Sequence, residues 1–192
     1  MNSSATCSPG TSTSWLRTYY FTRAAVAAAW VALALLVGRD SPPVAAILLI
    51  CYPTWDALAN YLDARRNGGL ILNKSQSLNL AVSALTAIGV GVALTASTNA
   101  MLGVFGFWAI LAGLFQLLTA LRRWRVSGAQ WAMILSGAQS ALAGAFFIRR
   151  AMDATAHGIT DIVPYAAFGA FYFLVSAVWL TMRLARRSAA AS

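Results

Sequence analysis

The sequence predicts an all-α integral membrane protein, a six-helix bundle built from three antiparallel helical hairpins. Of its 192 residues, 59% are hydrophobic and only 10% are charged, whereas about 25% are charged in soluble domains. Mean hydropathy is +0.67. Apolar segments of about 20 residues, the length that crosses ~30 Å of hydrocarbon, occur six times. Because the connections between them are short, consecutive helices are expected to be antiparallel neighbours.

The first apolar segment extends from about Tyr19 to Gly38. No small-residue cleavage site follows it and five further apolar segments do, so we interpret it as an uncleaved helix rather than a signal peptide. Residues 1–14 ahead of it are rich in Ser and Thr and lack apolar periodicity, which predicts a disordered tail. The transmembrane domain is predicted over residues 15–187, and residues 188–192 are expected to form a second disordered tail.

The second segment, about Pro43 to Leu62, carries the polar residues most relevant to function. Asp56, Asn60 and Asp63 have the spacing i, i+4 and i+7, so they project from one helix face. An Asp near the bilayer centre costs about 2.5–3.5 kcal/mol, so a partner is expected. Arg23, at a comparable depth in the first segment, is the predicted partner of Asp56.

Two interpretations of this polar face remain open. In the first, the Arg23–Asp56 ion pair locks the first hairpin, and Asp63 binds Arg65 or Arg66 at the interface. In the second, Asp56 is a protonatable site on a proton or cation pathway. A pathway needs a polar cavity that reaches Asp56 from at least one side, whereas a structural pair should be sealed by packed side chains.

The remaining segments lie at about Ser77 to Ser97, Met101 to Leu121, Gly128 to Ile148 and Ile162 to Met182. Gly106 and Gly113 form a smooth stripe on the fourth helix, and Ser136, Ser140 and Gly144 form one on the fifth at four-residue spacing. Small residues let neighbouring backbones approach closely. We expect packing within the bundle, with a homo-oligomer seam as the alternative.

His157 is the only histidine, in the connection between the last two segments. An unperturbed imidazole has a pKa near ~6.5, so this residue is a possible sensor of external acidity. The alternative is a solvated loop residue without a special role.

The charges indicate topology rather than nucleic-acid binding. Eleven of the 14 Lys and Arg residues fall on one predicted side of the membrane, and Arg39, Arg149 and Arg150 fall on the other. By the positive-inside rule, both termini are expected in the cytoplasm. The chain carries a net charge of +9, and its main expected partner is the lipid bilayer, whose anionic lipids attract the arginines. The chain has no Glu, one His and two separated Cys, so we expect no enzyme activity, no metal and no cofactor.

The fourth and fifth segments resemble a known family. The run Gly106-Phe-Trp-Ala-Ile-Leu-Ala-Gly-Leu-Phe-Gln-Leu-Leu-Thr-Ala-Leu-Arg-Arg123, followed by Gln130-Trp131 and by Ser136-Gly137 through Ala143-Gly144, is similar to the short-repeat membrane domain of the HdeD-like acid-resistance proteins. The resemblance covers about Ser77 to Ala185 and fits the first hairpin less well. It implies a bacterial inner-membrane protein, connected with acid or envelope stress, in a family without established catalytic residues.

From the sequence we therefore expect a non-enzymatic inner-membrane protein of the HdeD type. The alternative is a small proton-linked transporter or ion channel that uses Asp56. The sequence does not identify a substrate.

Overall fold

A computed structural model describes residues 9–124 and 130–189, and all the regular structure in these residues is helical. This confirms the predicted all-α class. The six long helices are each long and apolar enough to cross a membrane, as expected for a multi-pass membrane protein. They are α1 (Pro9–Leu36), α2 (Pro42–Arg66), α3 (Lys74–Ala96), α4 (Thr98–Arg123), α5 (Gln130–Arg150) and α6 (Ile159–Ala189), with a short 3₁₀ helix (Gly38–Asp40) between α1 and α2.

Several helices are longer than the apolar runs from which they were predicted. α2 continues to Arg66 and α4 to Arg123, so each has two arginines in its last turn, where positive charge stabilises the helix dipole. Within the described residues, α1 extends back to Pro9 and so includes part of the predicted tail. The other predicted tail residues, 1–8 and 190–192, lie outside the described residues.

The helices form a ring in chain order, in which successive helices from α2 to α6 pack against each other and α6 closes the ring against α1. The first predicted hairpin is not a close pair, because α1 makes few contacts with α2 and packs mainly along α6. Tyr20 and Ala24 of α1 share an apolar cluster with Phe173 and Ala177 of α6, which explains this preference. The ring arrangement leaves an interior to which all six helices contribute side chains.

The most extensive helix contact is that between α4 and α5, where glycines face each other. A Cβ atom added to Gly113 would lie 2.5 Å from the carbonyl oxygen of Gly137, and one added to Gly106 would lie 2.7 Å from that of Gly144. Both distances are too short for any side chain. The predicted small-residue stripe therefore lies at a contact within the chain, as the intramolecular interpretation expects.

The interior differs along the length of the bundle. We call the end that carries Arg65, Arg66, Arg122 and Arg123 the basic end. Toward the opposite end the core is apolar and tightly filled, with side chains such as Leu49, Met101, Leu102, Phe105 and Ile162 fully buried. Toward the basic end, buried polar and charged side chains take their place. The candidate site lies in this polar half.

Candidate functional site

The site is centred on an ion pair between α1 and α2. A nitrogen of the Arg23 guanidinium donates to the Asp56 carboxylate, so the structure brings these two residues together. Asp56 lies ten residues before Arg66, about 15 Å from the helix end at 1.5 Å per residue. Asp56 therefore lies well inside α2 and not in its last turns.

The Asp56 carboxylate accepts hydrogen bonds from four side chains. Oδ1 accepts from Arg23, and Oδ2 accepts from Asn60 Nδ2 at 3.0 Å, Asn79 Nδ2 at 3.2 Å and Ser83 Oγ at 2.8 Å. Asn60 is the neighbour predicted on the same face of α2. The two contacts from α3 were not predicted. Such a set of donors is what a charged carboxylate needs when it is removed from water.

The Arg23 guanidinium is held by aromatic residues as well as by Asp56. It donates to the Tyr19 hydroxyl at 3.0 Å and lies 4.4 Å from the centre of the Phe173 ring. An aromatic face attracts a cation, so Phe173 stabilises the guanidinium from the side of α6. The position of Arg23 is therefore set by three helices.

A second buried ion pair joins α2 to α4. Asp63 is only 3% exposed, and its Oδ2 accepts from Arg123 at 2.9 Å and from Gln76 Nε2 at 3.2 Å. The expected pairing of Asp63 with Arg65 or Arg66 is wrong. Asp63 lies seven residues after Asp56 and faces the interior with it, whereas the two arginines next to it in the sequence are exposed.

A cavity with both polar and apolar groups in its wall reaches the Arg23–Asp56 pair. This central cavity has about 60 Å³ of room for the centres of water molecules, and one water needs about 10–15 Å³ of such space. It can therefore hold a few waters or a solute of similar size. Every helix contributes to its wall, including Arg23, Tyr52, Asn79, Trp108, Ser140 and Tyr165.

The central cavity has an aromatic half. The indole of Trp108 donates to Ser83 Oγ at 2.9 Å, and the rings of Tyr52 and Tyr165 pack against Trp108. Ser140 Oγ donates to the carbonyl of Ala109 at 2.9 Å, so the Tyr165 hydroxyl, 3.0 Å away, is the donor to Ser140. Ser140, predicted as a packing residue, thus also orients a wall of the cavity, and Ser136 lies on the same wall.

A second cavity lies on the basic-end side of the first. This basic-end cavity has about 50 Å³ of room for water centres, and its wall includes Asn60, Asp63, Gln76 and Arg123. Four residues line both cavities: Arg23, Asn79, Gln116 and Phe173. The Arg23–Asp56 pair therefore borders the central cavity, the Asp63–Arg123 pair borders the basic-end cavity, and the two cavities share part of their walls.

A pattern of polar residues in the sequence indicates the α3 side of the site, which was not predicted. Gln76, Asn79, Ser83 and Thr86 are spaced by three, four and three residues, which places them on one helix face. All four are buried, and the first three bond to Asp63 or Asp56. A polar stripe of this kind on an apolar helix predicts an inward-facing polar surface.

His157 lies in a separate cluster at the opposite end of the bundle. It is 5% exposed, so the solvated interpretation is wrong. Its Nε2 lies 2.9 Å from the Arg150 carbonyl oxygen, and its Nδ1 lies 3.2 Å from an Arg150 guanidinium nitrogen and 3.5 Å from Asp161. Asn99 accepts from the His157 backbone N–H at 3.2 Å. The cluster joins the starts of α4 and α6 to the end of α5.

The fold and the site define a multi-pass α-helical membrane protein with a polar, charged centre. Residues 81–149, from α3 to the end of α5, match the model of a family described as a short repeat of unknown function, DUF308. No curated protein matches the chain, and no solved structure matches it. The matched segment contains Ser83 and the glycines of the α4–α5 contact, whereas Arg23, Asp56 and Asp63 lie outside it.

Proposed function

We propose that the protein moves protons or small ions across the membrane, with Asp56 as the site that is protonated or occupied during transport. The observation that carries this proposal is the cavity that reaches Asp56, which is lined by all six helices and has polar groups in its wall. A pair serving only as a structural lock would be expected in sealed apolar packing. Here the cavity leaves room for a few waters beside the pair.

The site contains charges that balance each other. Two arginines and two aspartates lie along the interior, and each carboxylate is bonded to one guanidinium. Protonation of Asp56 would remove its negative charge and weaken its hold on Arg23, since an arginine keeps its proton in proteins. Buried ionisable residues in a membrane bundle are typical of ion pathways. In this pair, protonation of Asp56 would allow the Arg23 side chain to move away from it.

We also propose the setting in which this activity operates. The clustering of arginines at the basic end supports a cytoplasmic location for both termini. The resemblance to HdeD-like proteins supports the bacterial inner membrane, and the protein is proposed to be non-enzymatic.

A role in acid or envelope stress is the second candidate function, and the His157 cluster favours it. In the neutral ring, His157 Nδ1 accepts a hydrogen bond from the Arg150 guanidinium. Protonation of Nδ1 would remove this hydrogen bond, because the new N–H would face the N–H of Arg150. Asp161 of α6 would attract the new charge, so the connection between α5 and α6 would rearrange in acid. Bacterial survival at low pH, with and without His157→Gln, tests this role in cells.

The test of the transport proposal is ion flux into liposomes that contain the purified protein. Proton uptake is followed with an enclosed pH-sensitive dye after an acid step outside, and cation flux is followed separately at constant pH. Flux is expected with the wild type and should be lost in Asp56→Asn. Asp40→Asn is the matched control, because Asp40 is also paired with an arginine but its side chain is 71% exposed at the opposite end. Absence of flux with the wild-type protein would refute the proposal.

A further inference from the structure

The two buried carboxylates of α2 lie in series along the interior. Asp56 and Asp63 are seven residues apart, so they share a helix face and are separated by about 10 Å along the axis. Each is paired with an arginine from a different helix, Arg23 of α1 and Arg123 of α4. Asp63 is the closer of the two to the basic end, so it lies on the route from Asp56 to that side of the membrane.

The space between the two carboxylates has the size and chemistry of a small water-filled chamber. The basic-end cavity has Arg23 and Asn79 in its wall near Asp56, and Asp63 and Arg123 in its wall near the basic end. With about 50 Å³ for water centres it can hold a few waters, since each needs about 10–15 Å³. This is too little space for a larger solute that would keep its own hydration shell.

One buried atom at the junction of the two cavities lacks a partner. Asn79 is 7% exposed and donates through Nδ2 to Asp56, but its Oδ1 is buried without a hydrogen bond to any described residue. Asn79 is part of both cavity walls. A buried amide oxygen left unpaired costs about 1–3 kcal/mol, so a donor is expected there. A water bound at this oxygen would lie beside the Asp56 carboxylate.

Resting on the proposed function, we propose that the transported species is the proton and that Asp63 is a second proton station, connected to Asp56 by water bound at Asn79. In this step protonated Asp56 gives its proton to the adjacent water, and the water chain delivers a proton to the Asp63 carboxylate. Asp56 becomes negative again and pairs with Arg23, while neutral Asp63 releases Arg123. Both arginines stay charged throughout.

A proton fits this arrangement better than a metal cation does. Each carboxylate is already neutralised by a guanidinium, so a cation entering the chamber would have to displace an arginine from its aspartate. A proton instead adds to one carboxylate oxygen and needs no coordination sphere. Asn60, Gln76 and Gln116 provide further amide groups along the chamber wall for hydrogen bonds to water.

The experiment measures proton flux into liposomes whose only added cation is a large organic ammonium ion. The variants are Asp63→Asn, Asn79→Leu, Asp56→Asn and the exposed control Asp40→Asn. Removal of either carboxylate is expected to lower flux by about tenfold or more, as loss of a proton-transferring group does elsewhere. Asn79→Leu keeps a similar side-chain volume but removes both the unpaired Oδ1 and the Nδ2 donor to Asp56, and it should lower flux several-fold. Asp40→Asn should match the wild type.

A spectroscopic measurement separates a proton station from a structural role of Asp63. Infrared difference spectra on acidification should show the carbonyl band of a protonated carboxyl in the wild type, with a component that Asp63→Asn removes. Asp63→Glu, which restores a carboxyl group, should retain measurable flux if Asp63→Asn is unstable.

The outcomes distinguish the two proposals. Wild-type flux that is lost in Asp56→Asn but unchanged in Asp63→Asn would overturn the second station and leave the proposed function intact. Flux that requires sodium or potassium would overturn the assignment of the proton. No flux in the wild type would refute the proposed function itself.

Discussion

The strength of the Arg23–Asp56 pair can be predicted from its surroundings and measured with a double-mutant cycle. The two side chains are only 14% and 9% exposed. Breaking a buried pair by removing one partner costs about 3–5 kcal/mol, whereas an exposed pair contributes about 0–1 kcal/mol. Arg23→Gln leaves Asp56 charged with only neutral donors, from Asn60, Asn79 and Ser83. We therefore expect each single variant to lose about 3 kcal/mol of unfolding free energy.

The double variant Arg23→Gln/Asp56→Asn should lose less than the sum of the two single variants. A coupling energy of about 2–3 kcal/mol is expected, in the upper part of the range for residues that share a contact. The assay is reversible unfolding by SDS in mixed micelles, followed by tryptophan fluorescence. The exposed Arg39–Asp40 pair is the control, and its cycle should give less than about 1 kcal/mol. A similarly small coupling for Arg23 and Asp56 would refute the argument that burial determines the strength of this pair.

Two further predictions use the same unfolding assay. Gly113→Ala should destabilise the protein by about 1–3 kcal/mol, because its Cβ would lie 2.5 Å from the backbone oxygen of Gly137. Gly103→Ala in the same helix, where the nearest atom is 3.6 Å away, should be neutral or stabilise by up to about 1 kcal/mol; equal effects of the two substitutions would contradict the close α4–α5 contact. His157→Phe should cost about 1–3 kcal/mol by leaving the buried contacts to Arg150 unmade. An unchanged stability would instead indicate that the imidazole contributes no net hydrogen bonding.

Much of the site could be predicted because the membrane restricts what a sequence can contain. A charged residue in an apolar run needs a partner, and Arg23 and Asp56 were the candidates at matching depth on adjacent helices. The i, i+4 spacing also predicted that Asn60 lies beside Asp56, since residues four apart share a helix face. Proximity in the sequence predicted the wrong partner for Asp63, because the nearest arginines in sequence point outward and Arg123 of α4 pairs with it instead.

The α3 contribution was missed for a different reason. Asn79 and Ser83 are uncharged. Single polar residues of this size are common in membrane helices, so neither residue alone predicts a functional site. Their role depends on the rotation of α3 about its own axis, which directs the stripe toward Asp56. The burial of His157 was not predicted for a related reason, since it depends on packing of the α5–α6 connection against the start of α4, which is distant in sequence.

The sequence by itself determined the class of protein, the number of helices and the polar face of α2. These follow from composition and periodicity, because hydrocarbon accepts only long apolar helices with few charges. Only the tertiary structure decided that α1 packs along α6, that Arg123 binds Asp63, and that two neighbouring cavities lie between the helices. Those features depend on the order and rotation of helices in the ring, and both are set by side-chain packing between segments far apart in the chain.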